Sequence, residues 1–270
     1  KTRRSYHVPE HWQMVRISPG CISPSRTEIR WMALHFPGQV WVIGNEPDVI
    51  WQDNLPANEY AQVYHDLYTL IKRSDPHAQV AVGAISQPTP LRLQYLNEVL
   101  ATYAQQYGTP LPADWWTVHA FVLNEERGSW GVDIPPGMPE IDQGTVYSIY
   151  DHGTPDIFAD YLFKFRAWLA ENGYQDTPLA VTEFGILMPE EYGFSPEFVA
   201  QYLTLTFNIL NTASDDKIGY PADDNRLVQR WAWFSLADRV YPNSNLVNLR
   251  SGELTPAGSS FRDFIINQRP

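Results

Sequence analysis

Two glutamates in this 270-residue chain stand where carboxylates can do chemistry. In Trp41-Val42-Ile43-Gly44-Asn45-Glu46-Pro47-Asp48 an apolar run ends in an acid and is stopped by proline. In Pro178-Leu179-Ala180-Val181-Thr182-Glu183-Phe184-Gly185 a second apolar run ends in an acid followed closely by glycine. Each taken alone has a plain structural reading, since Asn, Glu, Pro, Asp and Gly all suit turns with solvated charge. Taken together they are harder to dismiss. Burying two carboxylates near one another is costly unless they are used or paired. A pair of carboxylates flanking a bond is what glycosidic cleavage needs, one giving a proton and the other attacking or activating water.

The elements that must carry them follow from periodicity. Candidate strands are Trp12–Ile17, Gln39–Asn45, Gln79–Ile85, Trp115–Leu123, Pro178–Phe184 and Gln229–Leu236. Most are nearly continuous apolar runs, as expected of parallel strands buried on both faces. Between them, Ala57–Ser74, Leu91–Tyr107, Asp156–Asn172 and Pro196–Thr212 carry apolar residues three and four apart, and a last helix spans Gly258–Asn267. Thr154-Pro155-Asp156 and Ser195-Pro196-Glu197 read as helix starts, and Gly108 and Gly173 as left-handed helix stops. Alternation puts Leu179 and Val181 on the face of Glu183, and Trp231, Trp233 and Ser235 on one face of the last strand.

Strands alternating with helices predict parallel βαβ units in an α/β barrel of the (β/α)8 type. Only 38 residues precede Gln39, which leaves room for one strand and helix, two at most. The barrel is therefore expected to be abbreviated or incomplete at its N-terminal end, with no count of eight implied. Residues 1–270 read as one domain. The longest irregular stretch, 124–153, follows a strand's carboxyl end, where active-site loops of such barrels sit.

Composition narrows the partners. Nineteen Lys and Arg against 31 Asp and Glu give a net charge of −12, which repels nucleic acid and anionic membranes. No apolar run is long enough to span a bilayer. The opening Lys1-Thr2-Arg3-Arg4-Ser5 lacks the apolar stretch of an intact signal peptide. Cys21 is the only cysteine, so no intramolecular disulfide forms and the compartment stays open, with an extracellular setting expected ahead of a cytoplasmic one. Seven histidines show no metal-binding spacing, so neither metal nor cofactor is expected. Ten Trp and fifteen Tyr suit a carbohydrate substrate that stacks on rings, and equally a large aromatic core. A monomer is expected.

The paired Gly-Asn-Glu-Pro and Thr-Glu-Phe-Gly strand ends resemble those of clan A glycoside hydrolases, the cellulase-like barrel superfamily, over about residues 39–265. The resemblance implies a retaining hydrolase of a β-linked poly- or oligosaccharide, with Glu46 as acid/base, Glu183 as nucleophile and Asn45 on the sugar 2-hydroxyl. It implies carboxyl groups about 5–5.5 Å apart. His119 in His119-Ala120-Phe121 resembles the family's His-x-Tyr, with Phe121 where the tyrosine hydroxyl is expected; its plain alternative is a hydrogen-bonded core histidine. Trp233 in Trp231-Ala232-Trp233-Phe234-Ser235 resembles the floor of the sugar site, and Arg16 is the one candidate for an early-strand arginine that orients the nucleophile. Trp130, Glu126 and Tyr192 flank the expected mouth as candidate substrate contacts. Two rival readings stand beside this one: a catalytically silent sugar-binding barrel, and a metal-dependent hydrolase.

Overall fold

The computed structural model describes residues 11–18 and 20–267, so the Lys1–Ser5 stretch lies outside the described residues. Seven strands and six helices alternate: β1 (Trp12–Ser18), β2 (Cys21–Ser23), α1 (Arg26–His35), β3 (Val40–Ile43), α2 (Ala57–Ser74), β4 (Gln79–Ile85), α3 (Pro90–Tyr107), β5 (Trp115–His119), α4 (Pro155–Glu171), β6 (Leu179–Glu183), α5 (Pro196–Thr212), β7 (Arg230–Trp231) and α6 (Pro256–Asn267). The sheet order is β2-β1-β3-β4-β5-β6-β7. β2 folds back antiparallel on β1, and every other pairing is parallel.

The sheet curls until strands distant in its order meet. The rings of Trp12 in β1 and Trp115 in β5 are 5.1 Å apart, edge to face, although β3 and β4 lie between them in the sheet. A cavity of about 390 Å³ is lined by Trp12 and Met14 of β1, Val42 of β3, Ala180 and Thr182 of β6, and Trp231 of β7. This is the interior of a barrel. Among the described residues β7 and β2 are the two ends of the sheet and do not pair, so the barrel is left open. Among the described residues before Gln39 lie one strand–helix unit and the short β2.

Residues on the outward face of the strands, among them Trp41, Ile43, Val80, Val82, Val118, Leu179 and Val181, build one core with the helix layer. Helix starts and stops behave as their residue types require. Ser195 accepts from the Phe198 amide at the start of α5, and Gly108 closes α3 at φ +71°. α1 starts on a capping box in which Ser25 and Glu28 satisfy each other's backbone amides.

Four expected strands, now β3, β5, β6 and β7, are shorter than read, two of them markedly. β5 stops at His119 and β7 keeps only Arg230–Trp231. Beyond β5 the chain stays buried through Glu125, and over residues 232–236 beyond β7 only Trp233 does; both stretches leave the ladder, so alternation no longer predicts facing.

Candidate active site

The end of β3 is shaped by its backbone. Gly44 has φ +90°, and a Cβ there would lie 3.1 Å from the Tyr60 ring. The Asn45 amide then donates to Asp53 Oδ2 at 2.8 Å, an oxygen that also accepts the Ile17 amide at 3.1 Å. Glu46 itself is held at φ +48°, a left-handed conformation that costs a side-chain-bearing residue on the order of 1 kcal/mol or more. Its amide donates to Ala84 O on β4 at 2.9 Å. The neighbouring strands thus fix an unfavourable turn that aims the carboxylate at the barrel mouth.

Glu183 is aimed differently, and alternation misassigns the faces of the residues ahead of it. Leu179 and Val181 pack toward the helices, whereas Ala180 and Thr182 line the interior cavity. The register explains why Glu183 does not follow Leu179 and Val181 outward. Val118 pairs with Val181, but the next residue, His119, pairs with Glu183, so Thr182 is an extra residue. Such a bulge reverses facing beyond it.

His119 lies between the two carboxylates. Its Nδ1 is 2.9 Å from Glu46 Oε1 and its Nε2 is 3.7 Å from Glu183 Oε1, and the ring is wholly buried. Burial opposes a charge on this imidazole, yet Glu183, the hydrogen bond to Glu46, and the charges of Glu46 and Asp48 together raise its pKa above the ordinary value. Burial also raises Glu183; the His119 and Arg16 charges oppose that rise, and Glu46 and Asp238 add to it. The Glu183 side chain keeps 28% of its surface, against 11% for Glu46. Three buried polar atoms, Asn45 Oδ1, His119 Nε2 and Thr182 Oγ1, have no hydrogen-bond partner. Buried polar groups are normally satisfied, and unsatisfied ones gathered about a carboxylate pair are what a polar ligand would complete.

The other expected residues divide. Arg16 alternates with the outward Val15 and Ile17, places Nε 2.7 Å from Asp53 Oδ1 and lies near enough to Glu183 to act on its charge. Trp130 packs against a small cluster of Val49, Phe121, Leu123 and Val132. Tyr192 is half-exposed on the turn Glu190–Tyr192, and Glu126 bridges to Gln143 within the irregular loop.

Trp233 is a correction. Its ring is buried against Phe184, Tyr202 and Phe207, and its Nε1 donates to Ser244 O at 2.7 Å, so it belongs to the layer between strands and helices. Phe234 takes the mouth instead, its ring 6.0 Å from Phe121, which in turn stands 6.0 Å edge-on to His119. β7 ends at Trp231, and the parity read through it failed within two residues. Sequence reasoning also passed over Trp51, 74% exposed on the turn after Glu46. Its place five residues beyond the Asn-Glu pair was the available signal.

No model of a protein family matches the sequence, and neither does any curated protein. Solved structures do match. A GH128 (subgroup III) curdlan-specific exo-β-1,3-glucanase from Blastomyces gilchristii, in complex with glucose, superposes with a TM-score of 0.61 at 18% identity, over 97% of this chain and 84% of that one. A GH128 (subgroup II) endo-β-1,3-glucanase from Sorangium cellulosum gives 0.59 at 16% identity, over 93% and 79%. A mutant GH128 (subgroup I) endo-β-1,3-glucanase from Amycolatopsis mediterranei, in complex with laminarihexaose, gives 0.56 at 14% identity, over 97% and 86%. The chain has the fold of these TIM-barrel glycoside hydrolases.

Proposed function

We propose that the protein is a retaining glycoside hydrolase acting on β-1,3-glucan. The observation that carries the reading is one buried imidazole in reach of two carboxylates at the ends of β3 and β6. In the first step Glu183 attacks the anomeric carbon while Glu46 protonates the leaving oxygen. In the second Glu46, now a base, activates the water that releases the sugar from Glu183. His119 holds the Glu46 carboxyl in place and its positive charge favours an ionised Glu183. The unpartnered Asn45 amide oxygen is available to a sugar hydroxyl. Phe234, Trp130 and Trp51 offer ring faces around the mouth, on which sugar rings stack.

The β-1,3 linkage is taken from the three fold neighbours, each a β-1,3-glucanase by name. The test sets laminarin and curdlan beside cellulose, xylan and mannan, with NMR of the first-formed anomer. Release of β-configured products from the β-1,3-glucans supports the reading. α-Configured products overturn retention, and binding of laminari-oligosaccharides without any product would make this a silent sugar-binding barrel.

A further inference from the structure

Behind Glu46 lies a charged group that the double displacement leaves unused. Arg92, in the first turn of α3, is wholly buried, as are Asp48 and Glu125. Its Nη1 bonds Asp48 Oδ2 and donates to the Asp48 carbonyl at 2.9 Å. Its Nε donates to Glu125 Oε1 at 2.8 Å, and its Nη2 to the carbonyls of Val132 at 3.2 Å and Asp133 at 2.8 Å. Ser86 gives Asp48 Oδ2 both its amide and its hydroxyl, at 3.2 and 3.1 Å. Glu125 accepts Thr89 Oγ1 at 2.6 Å and the Thr145 amide at 2.8 Å. Two acids and one base meet in the interior, two residues from Glu46; burial raises the Asp48 carboxyl and the Arg92 charge opposes that rise.

Such a group is poor value as a stabilising device, because desolvating three charges consumes most of what their attraction returns. Its connections suggest another use. One arm holds the turn that bears Glu46. The other arms hold the irregular excursion 124–145 by residues at both of its ends and in its middle, and Trp130 lies on that excursion.

We propose that the Asp48–Arg92–Glu125 triad is a positioning unit for the reaction: it joins the Glu46 turn to the 124–145 excursion as one body, and Asp48 supplies a standing negative charge behind the acid. This rests on the reading of Glu46 as acid/base. The groups facing Glu46 are His119 from β5, Glu183 from β6 and Asp48 from its own turn; those facing Asp48 are Arg92 from α3, Ser86 at the end of β4 and Glu46. The Asp48 charge acts on His119, and the Glu46 charge acts on Asp48. A negative charge there holds the proton on His119 to higher pH, and the charged imidazole is what holds the Glu46 carboxyl in place.

The experiment is the pH profile of kcat/KM for Asp48→Asn and Glu125→Gln on laminari-oligosaccharides. Asp48→Asn should move the alkaline limb about half a pH unit or more toward lower pH, because a neutral side chain replaces the negative one. Glu125→Gln should leave the limb in place and raise KM several-fold, since it loosens the excursion without discharging Asp48. A folded Asp48→Asn whose alkaline limb superimposes on that of the wild type overturns the proposal. If Asp48→Asn does not fold, Ser86→Ala, which weakens the ionised Asp48, should give a smaller shift in the same direction, and no shift there overturns it equally. Full activity in Glu46→Gln would mark a different failure, that of the acid/base reading on which the triad's role depends.

Discussion

The two glutamate-bearing strand ends are built by different means. At β3 every tie is polar and most are charged: Asp53 gathers Arg16, the Ile17 amide and the Asn45 amide, and the Arg92 group grips Asp48. At β6 the Glu183 carbonyl accepts the Ala120 amide, but its carboxylate has no hydrogen bond among the described residues, and its position comes from a bulge, from close packing and from uncharged contacts. Gly185 permits the closest of these, since a Cβ there would lie 2.6 Å from Phe234 O. Ser244 Oγ accepts the Ile186 amide at 2.6 Å and donates to the Ile186 carbonyl at 2.8 Å. The difference matches the proposed roles. An acid that becomes a base must keep one position through two steps, whereas a nucleophile must be ionised, accessible and free to bond carbon.

The largest effects should come from removing either carboxylate, and they should differ in kind. Glu183→Ala is expected to cost about 10⁴-fold or more in kcat on every substrate, because no other group is placed to form the glycosyl-enzyme. Glu46→Gln should cost about 10²- to 10⁴-fold on glucan, the usual worth of a positioned general acid. On an aryl glycoside with a good leaving group its first step should recover while the second stays slow, visible as a burst in stopped-flow. Equal losses on both substrates would erase the distinction between the two strand ends.

The same contrast marks what the sequence let one read. α2, β4 and α5 begin and end where periodicity puts them, because each is long and regular and its period is set by one buried face. The two glutamates and His119 were legible as strand ends. The facing of the residues ahead of Glu183 was not, because side-chain parity is inverted by a single added residue, and Thr182 is one. Trp233 failed for the same cause, β7 being too short to carry parity onward. The capping box of Ser25 and Glu28 announced α1, but that helix buries only Ile29 and Ala33, and its period is faint. The Arg92 group had no local signature. Its members come from three segments more than 30 residues apart, and an arginine in the first turn of a helix looks like surface until the fold closes over it.

A smaller effect on rate, and a more specific one, belongs to His119. Burial raises Glu183 from its ordinary value of 4.5, with the imidazole charge pulling the other way. The acid limb of kcat/KM should therefore lie above 4.5 in the wild type. His119→Asn removes the opposing charge, so that limb should move to still higher pH, by about half a unit or more. A limb that stays put would mean that Glu183 is tuned by something other than its imidazole neighbour.

The least effect on activity near neutral pH, and the most direct probe of how the β6 end is held, concerns His152. This buried ring joins the two loops beside that strand end: its Nδ1 is 2.8 Å from Val122 O, and its Nε2 accepts the Leu187 amide at 2.8 Å. Both bonds require a neutral imidazole whose proton sits on Nδ1. Burial lowers its pKa to about 4, only partly offset by the carbonyl bond, from an ordinary 6.5. The unfolded chain therefore takes up the proton first as pH falls. Above 6.5 the His152 contribution is complete; between 6.5 and 4 it is progressively lost, by about 3 kcal/mol at the lower end. Below 4 both states are protonated and nothing further is lost. Denaturant unfolding between pH 7 and 4 should show that slope in the wild type, and His152→Gln should flatten it while starting from a lower stability at pH 7. Hydrogen exchange should place the acid-induced opening at Val122 and Leu187, with the amides of Ile17 and Asn45 on Asp53 protected to lower pH. If both strand ends open together along that range, the neutral ring is not what distinguishes them.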